Sequence, residues 1–300
     1  MGARYLVVVA DDYGIGPDVS RGIRELMHMG SVTATVLMVN SPHAEHDVRL
    51  WHKQATPGDL GWHPCLTMDA PVAPVEQVSS IVNKDGKLLA LGKWLTGTVT
   101  GRISYDHVLA ELDAQYRRCC DLVGHPPQII NGHKHIHIFP LVRKALAEVL
   151  HNHKVTPYLR QVRESWGCLR RIPGARIKRL FLSTLGVRAA RRHSQAGFPG
   201  NDYLAGITDP KWVEDPDFYA HWLKHVPGDV VELAVHPGYY DETLLGRDCI
   251  PSDGQLQRRV TELKLLKESR FLGVCRALGF TLISASKLLH PESRGLRNAA

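Results

Sequence analysis

Residues 5–14 read Tyr5-Leu6-Val7-Val8-Val9-Ala10-Asp11-Asp12-Tyr13-Gly14, an apolar run that ends in two adjacent carboxylates. An unbroken run of this length, with three consecutive valines, predicts a strand covered on both faces, as in a parallel sheet between layers. Asp11 and Asp12 then fall at its C-terminal end, the edge where open α/β sheets and βα barrels build their sites. Two buried, unpaired aspartates would be costly. Either both face a cleft and share it with a cation, or they form an exposed acidic turn or a helix cap. The run is too short to span a membrane and lacks the layout of a signal peptide.

Working outward, Asp18 or Ser20 is expected to cap a helix carrying Ile23, Leu26 and Met27. Val32 to Val39 reads as a strand, and Leu60-Gly61-Trp62-His63 as a further strand edge before a loop with Pro64, Pro71 and Pro74. Residues 82–87 form a turn. Tyr105 to Val123 has helical periodicity and stops at Gly124. Gln128 to His133 reads as a strand continuing towards His137, and Pro140 opens the helix of Val142, Leu146 and Leu150. Val155–Tyr158, Val230–Val235 and Phe280–Ile283 are further strands, with a helix after Leu256; the arginine-rich stretch 163–200 is read as helix and loop. This alternation implies right-handed crossovers and an α/β fold, a deformed or incomplete (βα) barrel with a mostly parallel sheet. One domain over residues 1–290 is expected, with 291–300 a flexible C-terminal tail.

The 300 residues, 44% hydrophobic and 22% charged, can bury one large core. The formal charge of +7 is concentrated around Arg170, Arg171, Arg176, Lys178, Arg179, Arg188, Arg191 and Arg192. Without a recognition motif this reads as a solvated or subunit-facing surface, leaving a homodimer open, and nucleic acid is not expected as a partner. Six cysteines, Cys119 and Cys120 adjacent and the other four scattered, without a CxxC pair, suggest a reducing, cytoplasmic setting. No GxGxxG, P-loop or GxSxG motif occurs, which argues against nucleotide cofactors and serine-dependent acyl transfer.

Histidines carry the remaining chemistry. His63 follows a strand end, where a core histidine with one hydrogen bond is the ordinary alternative. In Asn131-Gly132-His133-Lys134-His135-Ile136-His137, extended backbone would put Asn131, His133, His135 and His137 on one face. Such imidazoles ligate metal or form a hydrogen-bonded ladder. An Asp/His/His set would leave positions open for water and substrate. Two imidazoles suit zinc, whereas magnesium favours oxygen ligands. Arg160, beyond the strand at Tyr158, is a candidate contact to substrate or a carboxylate, and Tyr13 and Trp62 could pack on a sugar face or in the core.

Five segments resemble the YdjC-like carbohydrate deacetylases, a family that includes chitooligosaccharide deacetylases and a hopanoid-biosynthesis-associated branch. They are residues 9–14, 32–40, 61–63, 132–140 and 232–239, in the expected order across nearly the whole chain. The resemblance implies a deformed βα barrel that hydrolyses N-acetyl groups on sugars with one divalent metal ion, zinc or magnesium. It carries the metal ligands onto Asp12, His63 and His133, and suggests Asp11 as general base and His236 as a catalytic histidine near the leaving amine. Tyr13, Asn131, His135, His137 and Arg160 become candidates for orienting or substrate contacts. An O-acetyl ester deacetylase and a non-enzymatic carbohydrate-binding protein are the alternatives. The chain departs from the family pattern at Tyr13, where phenylalanine is frequent, at Asn131, where aspartate is frequent, and at Pro64-Cys65 and Lys134.

Overall fold

The structure is a computed structural model that describes residues 3–289; the expected tail at 291–300 lies outside them. Its strands are β1 (Arg4–Tyr13), β2 (Ala34–Leu37), β3 (Asp59–Trp62), β4 (Ile129–Ile130), β5 (Tyr158–Leu159), β6 (Tyr203–Ala205), β7 (Val230–Val235) and β8 (Phe280–Leu282). The helices are α1 (Pro17–Met29), α2 (Ala44–Lys53), α3 (Leu91–Val99), α4 (Tyr105–Val123), α5 (Pro140–Asn152), α6 (Trp166–Arg171), α7 (Arg176–Gln195), α8 (Phe218–His225), α9 (Gln255–Lys267) and α10 (Ser269–Ala277).

All pairings are parallel, in the order β5-β4-β3-β2-β1-β7-β6. This is barrel order with an open seam between β5 and β6. Across that seam scattered bonds stand in for a ladder, among them Leu159 N–H to Pro199 O and Leu204 N–H to Arg163 O, both at 2.8 Å. The ten-residue β1 serves two neighbours on one edge, β2 along its C-terminal half and β8 along its N-terminal half. The expected deformed, incomplete barrel is therefore the fold.

Alternation along β1 sorts the core. Val7 and Val9 point into the barrel with Ala34, Val36, Ile129 and Tyr158, and Ala285 and Leu288 join this interior cluster. Leu6, Val8 and Ala10 face the helical layer. The register slips between Ala10 and Tyr13, where three residues of β1 oppose two of β2, and Asp12 adopts φ 68° there. This bulge reverses the parity of the residues beyond it. Tyr13 is thereby sent into the helical layer, packing edge-on to Trp51 and donating its hydroxyl to Asp47 O at 2.7 Å.

Three sequence expectations are corrected. Helix α1 begins at Gly16-Pro17, not at a cap by Asp18 or Ser20. Its first N–H groups are satisfied from far along the chain by Asp241 Oδ2, 2.9 Å from Asp18 N, while Ser20 Oγ is engaged by Gly14 and Asp47. The histidine segment is not extended. Lys134 and His135 take left-handed φ of 53° and 57°, and residues 133–138 curl into a tight turn, so the three histidines do not share a face. Finally, Tyr13 and Trp62 are fully buried and offer no face to a sugar.

Candidate functional site

Asp11 and Asp12 occupy the same end of the barrel because of the bulge: alternation keeps Asp11 on the interior side, and the left-handed residue turns Asp12 towards it. The ends of β3 and β4 bring His63 and His133. The two loops are tied together, since His133 N donates to Pro64 O at 3.0 Å and Asn131 N to Trp62 O at 3.3 Å.

Asp12, His63 and His133 form a cluster whose ligand atoms lie within 4.8 Å of one another, all buried. Asp12 Oδ1 is 3.2 Å from His63 Nε2 and 3.0 Å from His133 Nδ1. His63 Nδ1 sits 3.0 Å from Asn131 O. A carbonyl only accepts, so Nδ1 donates to it and Nε2 faces the Asp12 carboxylate. At 3.2 Å the imidazole nitrogen and the carboxylate oxygen share a cation, either a proton or a metal ion. His133 Nε2 is likewise buried with no hydrogen-bond partner; Asp248 Oδ1 is 3.4 Å away. Burial opposes a charge on His133, yet Cys65, Asp12 and Asp248 outweigh it and lift its pKa to about 10. The donor set fits a divalent ion, with two imidazole nitrogens and one carboxylate oxygen.

Two residues the sequence reading missed complete this centre. Arg259, on α9, donates to Asp12 Oδ2 at 2.6 Å and reaches Asp248 Oδ2 at 3.3 Å. Burial would raise the Asp12 pKa, but Arg259 and the two histidines hold it well below the usual carboxylate range. With Oδ2 committed to Arg259, Asp12 offers a cation Oδ1 alone. The one available signal was Arg259 at helical spacing among apolar Leu256, Leu263 and Leu266, a charge on a buried face.

Asp11 is gripped from beneath. Arg160 Nη1 and Nη2 donate to its two oxygens at 2.6 and 2.8 Å, Arg160 Nε bonds Glu232, and Asn131 Nδ2 donates to Asp11 Oδ1 at 3.1 Å. Arg160 has no exposed surface, so it meets carboxylates and not substrate. Burial would raise the Asp11 pKa, and Arg160 overrides it to keep the group ionised far into acid. Asn131, neutral, donates where an aspartate would set a second carboxylate against Asp11.

His236, at the end of β7, has Nε2 3.8 Å from Asp11 Oδ2 and Nδ1 3.4 Å from Arg258 Nη2. Its backbone N–H donates to Glu262 Oε2 at 2.7 Å, which also accepts from the Tyr219 hydroxyl. Burial, aided by Arg258, pushes its pKa down to about 4. His236 and Lys134, with side chains 28% and 34% exposed, are the accessible groups at the rim of an otherwise closed cluster. His137 stands apart: Nδ1 accepts from Gly132 N at 2.8 Å and Nε2 lies 3.2 Å from Arg160 O, so both nitrogens are spent bracing the turn. His135, beside Arg160, lies outside the ligand cluster, and burial with that positive charge keeps it neutral.

Among known proteins, a chitooligosaccharide deacetylase of Klebsiella pneumoniae strain 342 is 28% identical over 257 residues, covering 84% of this chain and 89% of the relative. One from Proteus mirabilis strain HI4320 is 27% identical over 281 residues, covering 93% and 97%. A crystal structure from Enterococcus faecalis V583, of a protein described as a candidate in cellobiose-phosphate cleavage, superposes with TM-score 0.71 at 20% identity over 96% of this chain and 99% of that one; this is a likeness of fold. The YdjC-like protein family matches residues 5–277. With that match covering most of the barrel and the residues Asp12, His63 and His133, the chain belongs to the YdjC-like protein family.

Proposed function

We propose that this protein is a divalent-metal-dependent hydrolase that removes the acetyl group from an N-acetylated sugar or glycoconjugate, yielding acetate and a free amine. The observation that carries the reading is the Asp12/His63/His133 cluster with the Asp11 carboxylate and His236 imidazole beside it. The chitooligosaccharide deacetylases similar to it along most of their length support the substrate class.

A divalent ion held by Asp12, His63 and His133 would polarise the acetyl carbonyl and lower the pKa of a water molecule. Asp11, kept ionised by Arg160, accepts the proton of the attacking water. His236 is neutral at pH 7, and the Arg258 N–H facing Nδ1 leaves its proton on Nε2, the nitrogen turned towards Asp11. The proton that Asp11 takes from the water passes to the departing nitrogen as the C–N bond breaks, and the His236 Nε2–H, on the nitrogen 3.8 Å from Asp11 Oδ2, hydrogen-bonds the oxyanion. The six free cysteines fit a reducing cytoplasm; among the described residues no helix is long and apolar enough to cross a membrane.

The test is acetate release from N-acetylglucosamine oligomers after chelation and after return of zinc or magnesium. Chelation is expected to abolish turnover and one ion to restore it. Asp11→Asn should lower kcat by about a thousandfold with metal binding intact by calorimetry, whereas Asp12→Asn should lose the ion. Release from O-acetyl sugars alone would reject the amide reading. Saturable sugar binding by the loaded protein without any turnover would reject the enzyme.

A further inference from the structure

The barrel is not where this chain keeps its charge. Residues 165–201 hold eight arginines and lysines and no aspartate or glutamate, while the rest of the chain carries 29 basic against 30 acidic residues. Seven of the eight are exposed; the exception, Arg179, is buried against Glu164 and the carbonyls of the α6–α7 turn. The same segment presents apolar side chains to solvent. Ile177 is 88% exposed, Trp166 67%, Phe181 52% and Leu180 49%. At 100° per residue, Ile177, Leu180 and Phe181 share one face of α7 with Arg188 and Arg191, apolar in the first turns and cationic in the later ones. The opposite face is already committed, with Leu182, Gly186, Ala189 and His193 buried against the barrel.

We propose that this α6–α7 face docks on an anionic lipid bilayer. Interfacial helices combine apolar and aromatic side chains that enter the headgroup boundary with arginines that meet lipid phosphates, and both halves of that description are present. Nucleic acid would engage the arginines but leave Ile177, Leu180 and Phe181 in water. A second copy of the chain on the same face would set seven cations against seven. Helix α7 also packs on the His133–Ile138 turn, so docking brings the candidate active site to the lipid surface.

The experiment is co-sedimentation of the whole protein with vesicles, without substrate or metal, so that its failure and a failure of the deacetylase reading remain separate results. Binding is expected on vesicles of phosphatidylglycerol in phosphatidylcholine, at least tenfold weaker on phosphatidylcholine alone and weakened by salt. The exposed triple variant I177S/L180S/F181S, its fold checked by circular dichroism, should lose binding at least tenfold, and so should R188Q/R191Q/R192Q. Trp166 emission, read as the difference from Trp166→Phe, should move to shorter wavelength on anionic vesicles. No binding, or binding indifferent to both variants, overturns the proposal. So does a dimer in sedimentation equilibrium that the apolar triple variant dissolves. Duplex DNA binding lost only with the arginines, in a protein that ignores vesicles, also overturns it.

Discussion

At Asp12 a non-glycine residue sits at φ 68° inside a strand, a conformation that costs of order 1–3 kcal/mol. It sets Oδ1 between two imidazoles, so local strain serves the geometry of the centre. Arg259 stands behind it. Arg259→Met should leave Asp12 and Asp248 buried with too little positive charge and cost about 3–5 kcal/mol in urea unfolding of the metal-free protein. A saturating divalent ion should return part of that loss, and no recovery would mean the cluster does not take up the charge. Arg160→Lys keeps a cation but loses the two-pronged grip on Asp11. Because Arg160 holds the Asp11 pKa down, weakening it should move the acid limb of kcat/KM to higher pH, as followed by acetate release. The ligand residues were legible as residue types at strand ends. Arg259 and Asp248 were not, because Asp12 and His133, which they meet at the centre, lie more than a hundred positions away in the chain.

At the level of elements, the site depends on how closely strands approach. A Cβ on Gly61 would lie 2.1 Å from Ile129 O, so β3 and β4 come together only because position 61 has no side chain. Gly61→Ala is expected to cost about 3 kcal/mol by thermal denaturation and to weaken metal binding, since it parts the strand of His63 from the loop of His133. The same device seats α7, where a Cβ on Gly186 would fall 1.6 Å from Val162 O. Strands β1 and β7 were readable because each is a long apolar run. Strand β6, three residues long, was not anticipated, and β4 and β5, two residues each, carry too little pattern to bound. The histidine segment misled for a definite reason. Alternation assumes extended backbone, and the left-handed Lys134 and His135 break it, helped by His137 bracing the turn through both ring nitrogens.

Across the whole molecule, histidines whose pKa is depressed make stability depend on pH. His193 is enclosed, and burial, with Arg143 nearby, lowers its pKa from 6.5 to about 4; His236 falls to about 4 as well. In the unfolded chain both take up a proton near 6.5, which the native state refuses until about pH 4. Their contribution is therefore complete above pH 6.5 and drains away as pH falls from 6.5 to 4. For His193 alone the loss is on the order of 3 kcal/mol. A Tm that declines across that window, with a shallower decline in His193→Gln, is expected in calorimetric scans; a flat profile would contradict it. The sequence by itself determined the class of fold, because continuous apolar runs alternating with helical periodicity admit few arrangements besides a covered parallel sheet, and it determined the acidic and imidazole groups available at the strand ends. What only the tertiary structure decided is which of them meet. The bulge at Asp12 turned one aspartate towards the histidines and Tyr13 away, α9 brought Arg259, and the turn after Gly132 kept His133 while removing His135 and His137. Each depends on backbone parity or on a distant partner, and neither is written in local composition.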